Sequence, residues 1–313
     1  MISVGSLQAG KGEKVQGLVR VGKENLELPV TIVRSRNEGK TLLLTGGVHN
    51  AEYVGIQTAI EFAEELHPEE LASGSVIIVQ LLNRTGFEHR TMSVVYEDGK
   101  NLNREFPGNP EGTLAERICA WVEKELFTKI DYYVDLHCGD GFEHLTPYVY
   151  YQGKASKEVS AVSKAMASVV NVPYMVKSSS DSGGAFNYAG KCGIPGILIE
   201  RGSRGIWSRE EVDLDKKDVK MILSKLHFLE EALSFPKTVP EEIEDVTYFS
   251  APCGGCWYPL KNPGEQVEKG DSLGEIRDYF GNVQAKIEAF KKGRVLYQIS
   301  SLCVSEGETL IAY

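Results

Sequence analysis

The chain has 313 residues and six histidines, and three of these have a glutamate three residues on: His49–Glu52, His67–Glu70 and His227–Glu230. At that spacing an imidazole and a carboxylate can face one point. Such a pair supplies two of the three protein ligands of a His₂Glu zinc site. Spacing alone does not choose among the three, but context does. His67 follows an acidic helix end and precedes Pro68, so it reads as surface. His227 falls in an expected late amphipathic helix with Leu223, Leu226 and Leu233. His49–Glu52 follows an apolar strand, Thr41–Leu44, and a Gly46-Gly47 break. A helical pattern then begins, with Val54, Ala59, Ile60, Ala63 and Leu66 at steps of three and four. The strand-to-helix edge of an open α/β sheet is where ligands bind.

Two more polar groups close predicted strands. Ile130–His137 ends in His137, and Gly193–Glu200 ends in Glu200. His137 is the natural third ligand. Asp135, two residues earlier, leans to the same face of its strand and is placed to hold the imidazole. Two neutral imidazoles and one carboxylate leave zinc a net positive charge and an open position. Glu200 could then take a proton from water activated by the metal and carry it to a leaving amine.

These groups need a sheet to position them, and the pattern of the chain provides one. Lys14–Val21 and Leu26–Val33 read as paired strands around a turn at residues 22–25. Ser75–Leu82 is a β-branched buried strand, and residues 83–110 form a long loop without periodicity. Thr113 and Glu116 mark the start of a helix that buries Leu114, Ile118, Trp121, Val122 and Leu126. An aromatic strand at 147–151, a helix at 156–170 and a long helix at 213–233 follow. Residues 178–184 read as a loop at the mouth of the site. This alternation predicts a mixed, largely parallel sheet with helices on both faces. Residues 235–245 read as a linker. Beyond them, frequent glycines and short strands predict a small β-barrel or sandwich. The expected division is a catalytic domain at 1–240 and a β-domain at 241–313.

Composition sets outer limits. The chain is 42% hydrophobic and 25% charged, as in an ordinary globular protein. Its net charge of -10 argues against a nucleic-acid partner. No apolar run approaches the roughly 18 residues of a membrane span, and the first residues lack a signal-peptide pattern, so the expectation is a cytoplasmic protein. The six cysteines are scattered, and Cys253-Gly-Gly-Cys256 reads as a chance pair in a glycine-rich loop.

Four motifs in order carry a resemblance: Gly46-Gly-Val-His-Asn-Ala-Glu52, Asn101-Leu-Asn-Arg-Glu-Phe-Pro-Gly108, Asp135-Leu-His137, and Gly193-Ile-Pro with Glu200-Arg-Gly202. Together they resemble the succinylglutamate desuccinylase/aspartoacylase family of the zinc carboxypeptidase clan. The stretch 263–271 is similar to that family's C-terminal domain. The resemblance implies one zinc per chain on His49, Glu52 and His137, with Glu200 as general base. It implies that Asn103 and Arg104 hold a substrate carboxylate and that Arg90 polarises the scissile carbonyl. Asn101 and Arg201 flank the motif positions and are expected on the substrate side, where they would bear on specificity. The implied activity is hydrolysis of the amide bond of an N-acyl amino acid or a similar small carboxylate-bearing amide. Two alternatives stay open: a zinc carboxypeptidase acting on small peptides, and a catalytically silent metabolite-binding protein. The hairpin tip Asp278-Tyr-Phe-Gly281 carries no lysine, so the tail is not a cofactor carrier. It is expected to shape the pocket or to join copies in a homo-oligomer.

Overall fold

The structure of the protein, a computed structural model, describes residues 1–23, 25–180, 183–231, 233–234 and 238–313. Two short antiparallel strands, β1 (Ile2–Val4) and β2 (Leu7–Ala9), open the chain. The hairpin β3 (Lys14–Arg20) and β4 (Glu27–Arg34) follows, as its alternation predicts. Next come β5 (Thr41–Gly46), α1 (Tyr53–Glu65), β6 (Ser75–Val79), α2 (Arg84–His89) and α3 (Leu114–Glu125). The middle of the chain holds β7 (Tyr132–His137), β8 (Glu143–Leu145), β9 (Tyr148–Gln152) and α4 (Lys157–Ala167). Then follow β10 (Tyr174–Ser178), α5 (Ala185–Lys191), β11 (Gly196–Glu200), α6 (Arg209–Lys225) and β12 (Glu241–Ile243).

Nine strands form the main sheet in the order β12-β10-β9-β11-β7-β5-β6-β4-β3. The pairings β10–β12, β10–β9, β11–β7, β5–β6 and β5–β7 are parallel; β11–β9, β4–β6 and β3–β4 are antiparallel. The central strands β5 and β6 are buried at every residue, which is why they read as unbroken apolar runs. Helices α3 and α5 cover one face through Leu114, Ile118, Trp121 and Phe186. Helices α1, α4 and α6 cover the other through Phe62, Met166 and Val219.

The path of the chain matters for the site. From β5 it crosses by α1 to β6 on one side; from β6 it crosses back by α3, on the opposite face, to β7 on the other side. The strand order therefore reverses between β5 and β7. The crevice beyond the carboxyl ends of these two strands is the place such sheets offer a ligand.

The remaining strands are β13 (Tyr248–Ser250), β14 (Gly255–Pro259), β15 (Gln266–Val267), β16 (Ser272–Arg277), β17 (Val283–Glu288), β18 (Gly293–Arg294), β19 (Tyr297–Ile299), β20 (Cys303–Val304) and β21 (Thr309–Ala312). They build the sheets β13-β21-β19-β8 and β17-β16-β14-β20 around Trp257, Leu273, Ile276 and Leu310. Two strands change sides. β8 joins the C-terminal sheet by pairing with β19, and β12 joins the main sheet by pairing with β10. The sequence boundary at 240/241 thus falls beside an edge strand of the main sheet.

Several expectations need correction. The loop 83–110 contains α2, capped by Asn83, whose side chain accepts from the Gly86 N–H. A six-residue helix with a central glycine leaves no periodic signal. β10 and α5 are also new elements. The long helix starts earlier and ends earlier than expected. Ser208 caps it by accepting from the Glu211 N–H. It closes at His227, which takes φ 61° while the Phe228 N–H bonds to Leu223 O at 2.8 Å. His227 is therefore beyond the helix, not in it. Of the expected linker, residues 235–237 lie outside the described residues, and 241–243 are strand.

Candidate metal centre and active site

The turn after β5 is built for close approach. Gly47 takes φ 67°, where a Cβ would lie 2.7 Å from Leu81. Helix α1 packs against the end of β7 through Gly55, where a Cβ would meet the Leu136 carbonyl oxygen at 2.6 Å. That contact brings Glu52, at the N-cap position, to the end of β7. Glu52 does not cap its helix. Its carboxylate faces the two histidines instead: Oε1 is 2.6 Å from His49 Nδ1, and Oε2 is 2.8 Å from His137 Nδ1. The Cys138 N–H also donates to Oε2 at 3.1 Å.

The far side of each ring is held. Asn101 Oδ1 lies 3.1 Å from His49 Nε2, and Asp135 Oδ2 lies 3.1 Å from His137 Nε2. Asp135 is fully buried and its other oxygen accepts from the Thr45 hydroxyl at 2.6 Å. Without a metal each Nδ1 shares a proton with Glu52; with one bound, the acceptors on both Nε2 atoms would keep the ring proton there and leave the Nδ1 atoms as ligands. The rings stand edge to face, 5.0 Å apart at 87°. Ligand atoms of His49, Glu52 and His137 all lie within 4.8 Å of one another. The set therefore fits a divalent metal with a preference for nitrogen and oxygen, such as zinc. Burial would raise the Glu52 carboxyl, but His137 and His49 outweigh it and hold it at about 2.

Glu200 is the register partner of His137 across β11 and β7. Neighbouring strands lie about 4.8 Å apart, so its carboxyl stands beside the cluster. Burial pushes its pKa well above the usual carboxylate range, the charge of Glu52 adds to this, and His137 opposes it. A cavity of about 610 Å³ opens over these groups. Its lining includes Asn101, Asn103 and Arg104 from one loop, Lys177–Ser180 from the end of β10, and Asp140 and Glu143 after β7. Tyr148 and Tyr150 of β9 form another wall. The C-terminal sheet adds Val246, Tyr248, Tyr297 and Thr309, with the hydroxyls of Tyr150 and Tyr248 2.7 Å apart.

Residues 38–226 match a family model of the succinylglutamate desuccinylase/aspartoacylase catalytic domain. The chain belongs to that family. Among curated relatives, an N-alpha-acetyl-L-2,4-diaminobutyric acid deacetylase of Halomonas elongata is 26% identical over 298 residues, covering 90% of this chain and 84% of the relative. Among solved structures, the product-bound ectoine utilization protein EutE (DoeB) of Ruegeria pomeroyi shares the fold at a TM-score of 0.88 and 23% identity, covering 99% of this chain and 97% of that one. A succinylglutamate desuccinylase/aspartoacylase of Rhodobacter sphaeroides does so at 0.85 and 24%, covering 99% and 98%.

Of the residues that the family resemblance implies, His49, Glu52, His137, Glu200, Asn103 and Arg104 all meet at the one cavity. Asn103 is buried and its Oδ1 accepts from the Ala185 N–H at 2.9 Å, which leaves its amide nitrogen for a ligand. Arg104 is exposed at the rim, with one guanidinium N–H on the Asn103 carbonyl at 2.9 Å. Arg90 does not join them. It is exposed, ends α2 with φ 56°, and is absent from the cavity lining. The two flanking residues also depart from expectation. Asn101 holds His49 and so serves the metal side. Arg201 turns away into the core, where it pairs with Asp215 at 2.6 Å and with Asp218. Of the loop 178–184, Ser178–Ser180 and Gly184 line the cavity, and residues 181–182 lie outside the described residues. Asp140, Glu143, Lys177, Tyr248 and Tyr297 were not foreseen. Asp140 follows His137 in a glycine-flanked run, which is a readable signal. The tyrosines come from another sheet and leave no local trace.

Proposed function

We propose that the protein is a zinc-dependent amidohydrolase that removes the acyl group from an N-acyl amino acid. The observation that carries this reading is the His49–Glu52–His137 cluster with Glu200 beside it at the floor of one cavity. The deacetylase activity named for the Halomonas elongata relative supports the amide class. His49 Nδ1, His137 Nδ1 and the Glu52 carboxylate would hold the zinc. When bound, zinc supplies Lewis-acid charge to an acyl carbonyl and acidity to water. Glu200 takes the proton from the attacking water and returns it to the departing nitrogen. Asn103 and Arg104 orient a substrate carboxylate, and a guanidinium suits that grip. Tyr148, Tyr150, Tyr248 and Tyr297 wall the reacting groups from bulk water. These walls favour a small molecule over an extended peptide, because the C-terminal sheet closes one side. Arg90 takes no part. Among the described residues no helix is long and apolar enough to cross a membrane.

The test is amine release from a panel of N-acyl L-amino acids by the zinc-loaded protein and by Glu200→Gln. The variant should keep its zinc and lose about 10²–10⁴-fold in turnover. Turnover within a few-fold of wild type would remove Glu200 from the chemistry.

A further inference from the structure

The six cysteines are scattered along the sequence, and folding sets two of them opposite each other. Cys119 and Cys138 are buried, and Cys192 is exposed at the end of α5. The other three lie in the C-terminal sheets. There Cys256 of β14 is the register partner of Cys303 of β20. Cys253, the near neighbour of Cys256 in sequence, packs instead against the core of Trp257 and Leu273. Directly opposed residues of two paired strands point to the same face. Trp257 and Val304, each next along its strand, are buried, so Cys256 and Cys303 turn to the outer face. Cys303 is exposed and Cys256 half-buried. Neither lines the cavity.

The kind of pairing decides whether the two sulfurs can bond. The Trp257 N–H donates to Leu302 O at 2.7 Å. Trp257 and Leu302 are the next opposed residues beyond Cys256 and Cys303, so the ladder hydrogen bonds flank the cysteines and do not join them. Such a non-hydrogen-bonded pair holds its Cα atoms about 4.5 Å apart, with the side chains closer than at a hydrogen-bonded pair. A disulfide spans about 4.4–6.8 Å between Cα atoms. The two thiols are therefore within bonding reach without movement of the backbone. They stand at the short end of the range, where a disulfide is strained and more easily reduced. β20 is the edge strand of its sheet and meets β14 through two register pairs. A covalent link at one of them would pin that edge.

We propose that Cys256 and Cys303 form a reversible cross-strand disulfide by exchange with a small disulfide of the glutathione class. The exposed Cys303, as thiolate, attacks one sulfur of the small disulfide; a mixed disulfide forms and one small thiolate leaves. Cys256, as thiolate, then attacks the Cys303 sulfur, and the second small thiolate leaves. The protons given up by the two cysteines end on the two departing thiolates. The protein is oxidised by two electrons, and the small disulfide is reduced to two thiols. Excess small thiol runs the exchange backwards. The link closes the segment between residues 256 and 303, which carries Tyr297 of the cavity wall.

The test is to incubate the reduced full chain with glutathione disulfide, quench with acid, alkylate, digest and map the bonds by mass spectrometry. A peptide pair linking Cys256 to Cys303 should appear, lighter by two hydrogens than the reduced pair, and should vanish on treatment with dithiothreitol. It should exceed the glutathione adduct of Cys303 by about tenfold or more, because the second thiol attacks within the chain. Cys253→Ser should form the same link to the wild-type extent. Cys256→Ser should hold glutathione on Cys303, since no opposed thiol remains to displace it. Cys192 is the internal reference, an exposed thiol that gains the mass of glutathione in every variant. A link between Cys253 and Cys256 in place of the cross-strand one would overturn the proposal. So would a wild-type Cys303 that keeps its glutathione as it does in Cys256→Ser, or a Cys256 and Cys303 left reduced where Cys192 is modified.

Discussion

Replacing Asp135 with Asn probes how the metal centre is held without touching a ligand. Asp135 is fully buried and bridges two groups, accepting from the Thr45 hydroxyl at 2.6 Å and facing His137 Nε2 at 3.1 Å. Asn is nearly the same size, so no cavity opens. It offers one oxygen and one NH₂ in place of two oxygens. If the oxygen faces His137, the ring keeps its tautomer but loses the pull of a full negative charge. If the NH₂ faces His137, Nε2 must become the acceptor, and the proton moves to Nδ1, the atom turned toward Glu52. Loss of such a supporting partner typically costs about 10–100-fold in metal affinity, or about 1.4–2.8 kcal/mol at about 1.4 kcal/mol per decade. The first orientation predicts the low end and the second the high end. Competition of Asp135→Asn and wild type against a fluorescent zinc chelator measures the ratio. A far-ultraviolet spectrum checks the fold. Affinity within threefold of wild type would refute the view that Asp135 sets the His137 tautomer.

Three further outcomes are expected. For the carboxylate clamp, wild type should prefer an N-acetyl amino acid to its carboxamide, and Arg104→Ala should lose that preference by about 1–3 kcal/mol; equal rates on acid and amide in wild type would reject the clamp. Arg201→Ala should leave Asp215 and Asp218 buried without their cation and cost about 3–5 kcal/mol in urea unfolding, whereas a residue serving the substrate would lower kcat/KM at native stability. The α1–α6 contact predicts a pH dependence: Arg209 grips the Glu61 carboxylate, and Gln57 and Lys216 join it, so its pKa falls from 4.5 to about 2 against the pull of burial. A depressed carboxylate stabilises the fold above about pH 4.5, and the contribution disappears as pH falls towards 2. The shift corresponds to about 3 kcal/mol at most, and the exposed Arg209 partner reduces it to ~1–2. Glu61→Gln should flatten that stretch of the acid-denaturation curve.

Much of the site was legible because its residues sit where a regular sheet must end. β7 and β11 each close on a polar group, His137 and Glu200, and a parallel register then brings the two side by side. The Gly46-Gly47 pair at the end of β5 announced the turn that holds His49. What stayed hidden depended on contacts between distant segments. Arg201 follows Glu200 directly, yet it faces the opposite side of the sheet and meets two aspartates of α6. Asn101 reaches His49 across a loop that has no period. α2 is too short, and β12 too charged, to reveal itself by pattern. Glu143 is placed by the pairing of β8 with β19, which no local rule predicts.

Zinc content tests the central claim most directly. Purified wild-type protein, dialysed and analysed by atomic emission, should carry about one zinc per chain, and His137→Ala should carry almost none while keeping near-native far-ultraviolet dichroism. Full zinc occupancy in His137→Ala, or a wild-type protein that takes up no zinc when it is supplied, would contradict the assignment of His49, Glu52 and His137 as the metal centre.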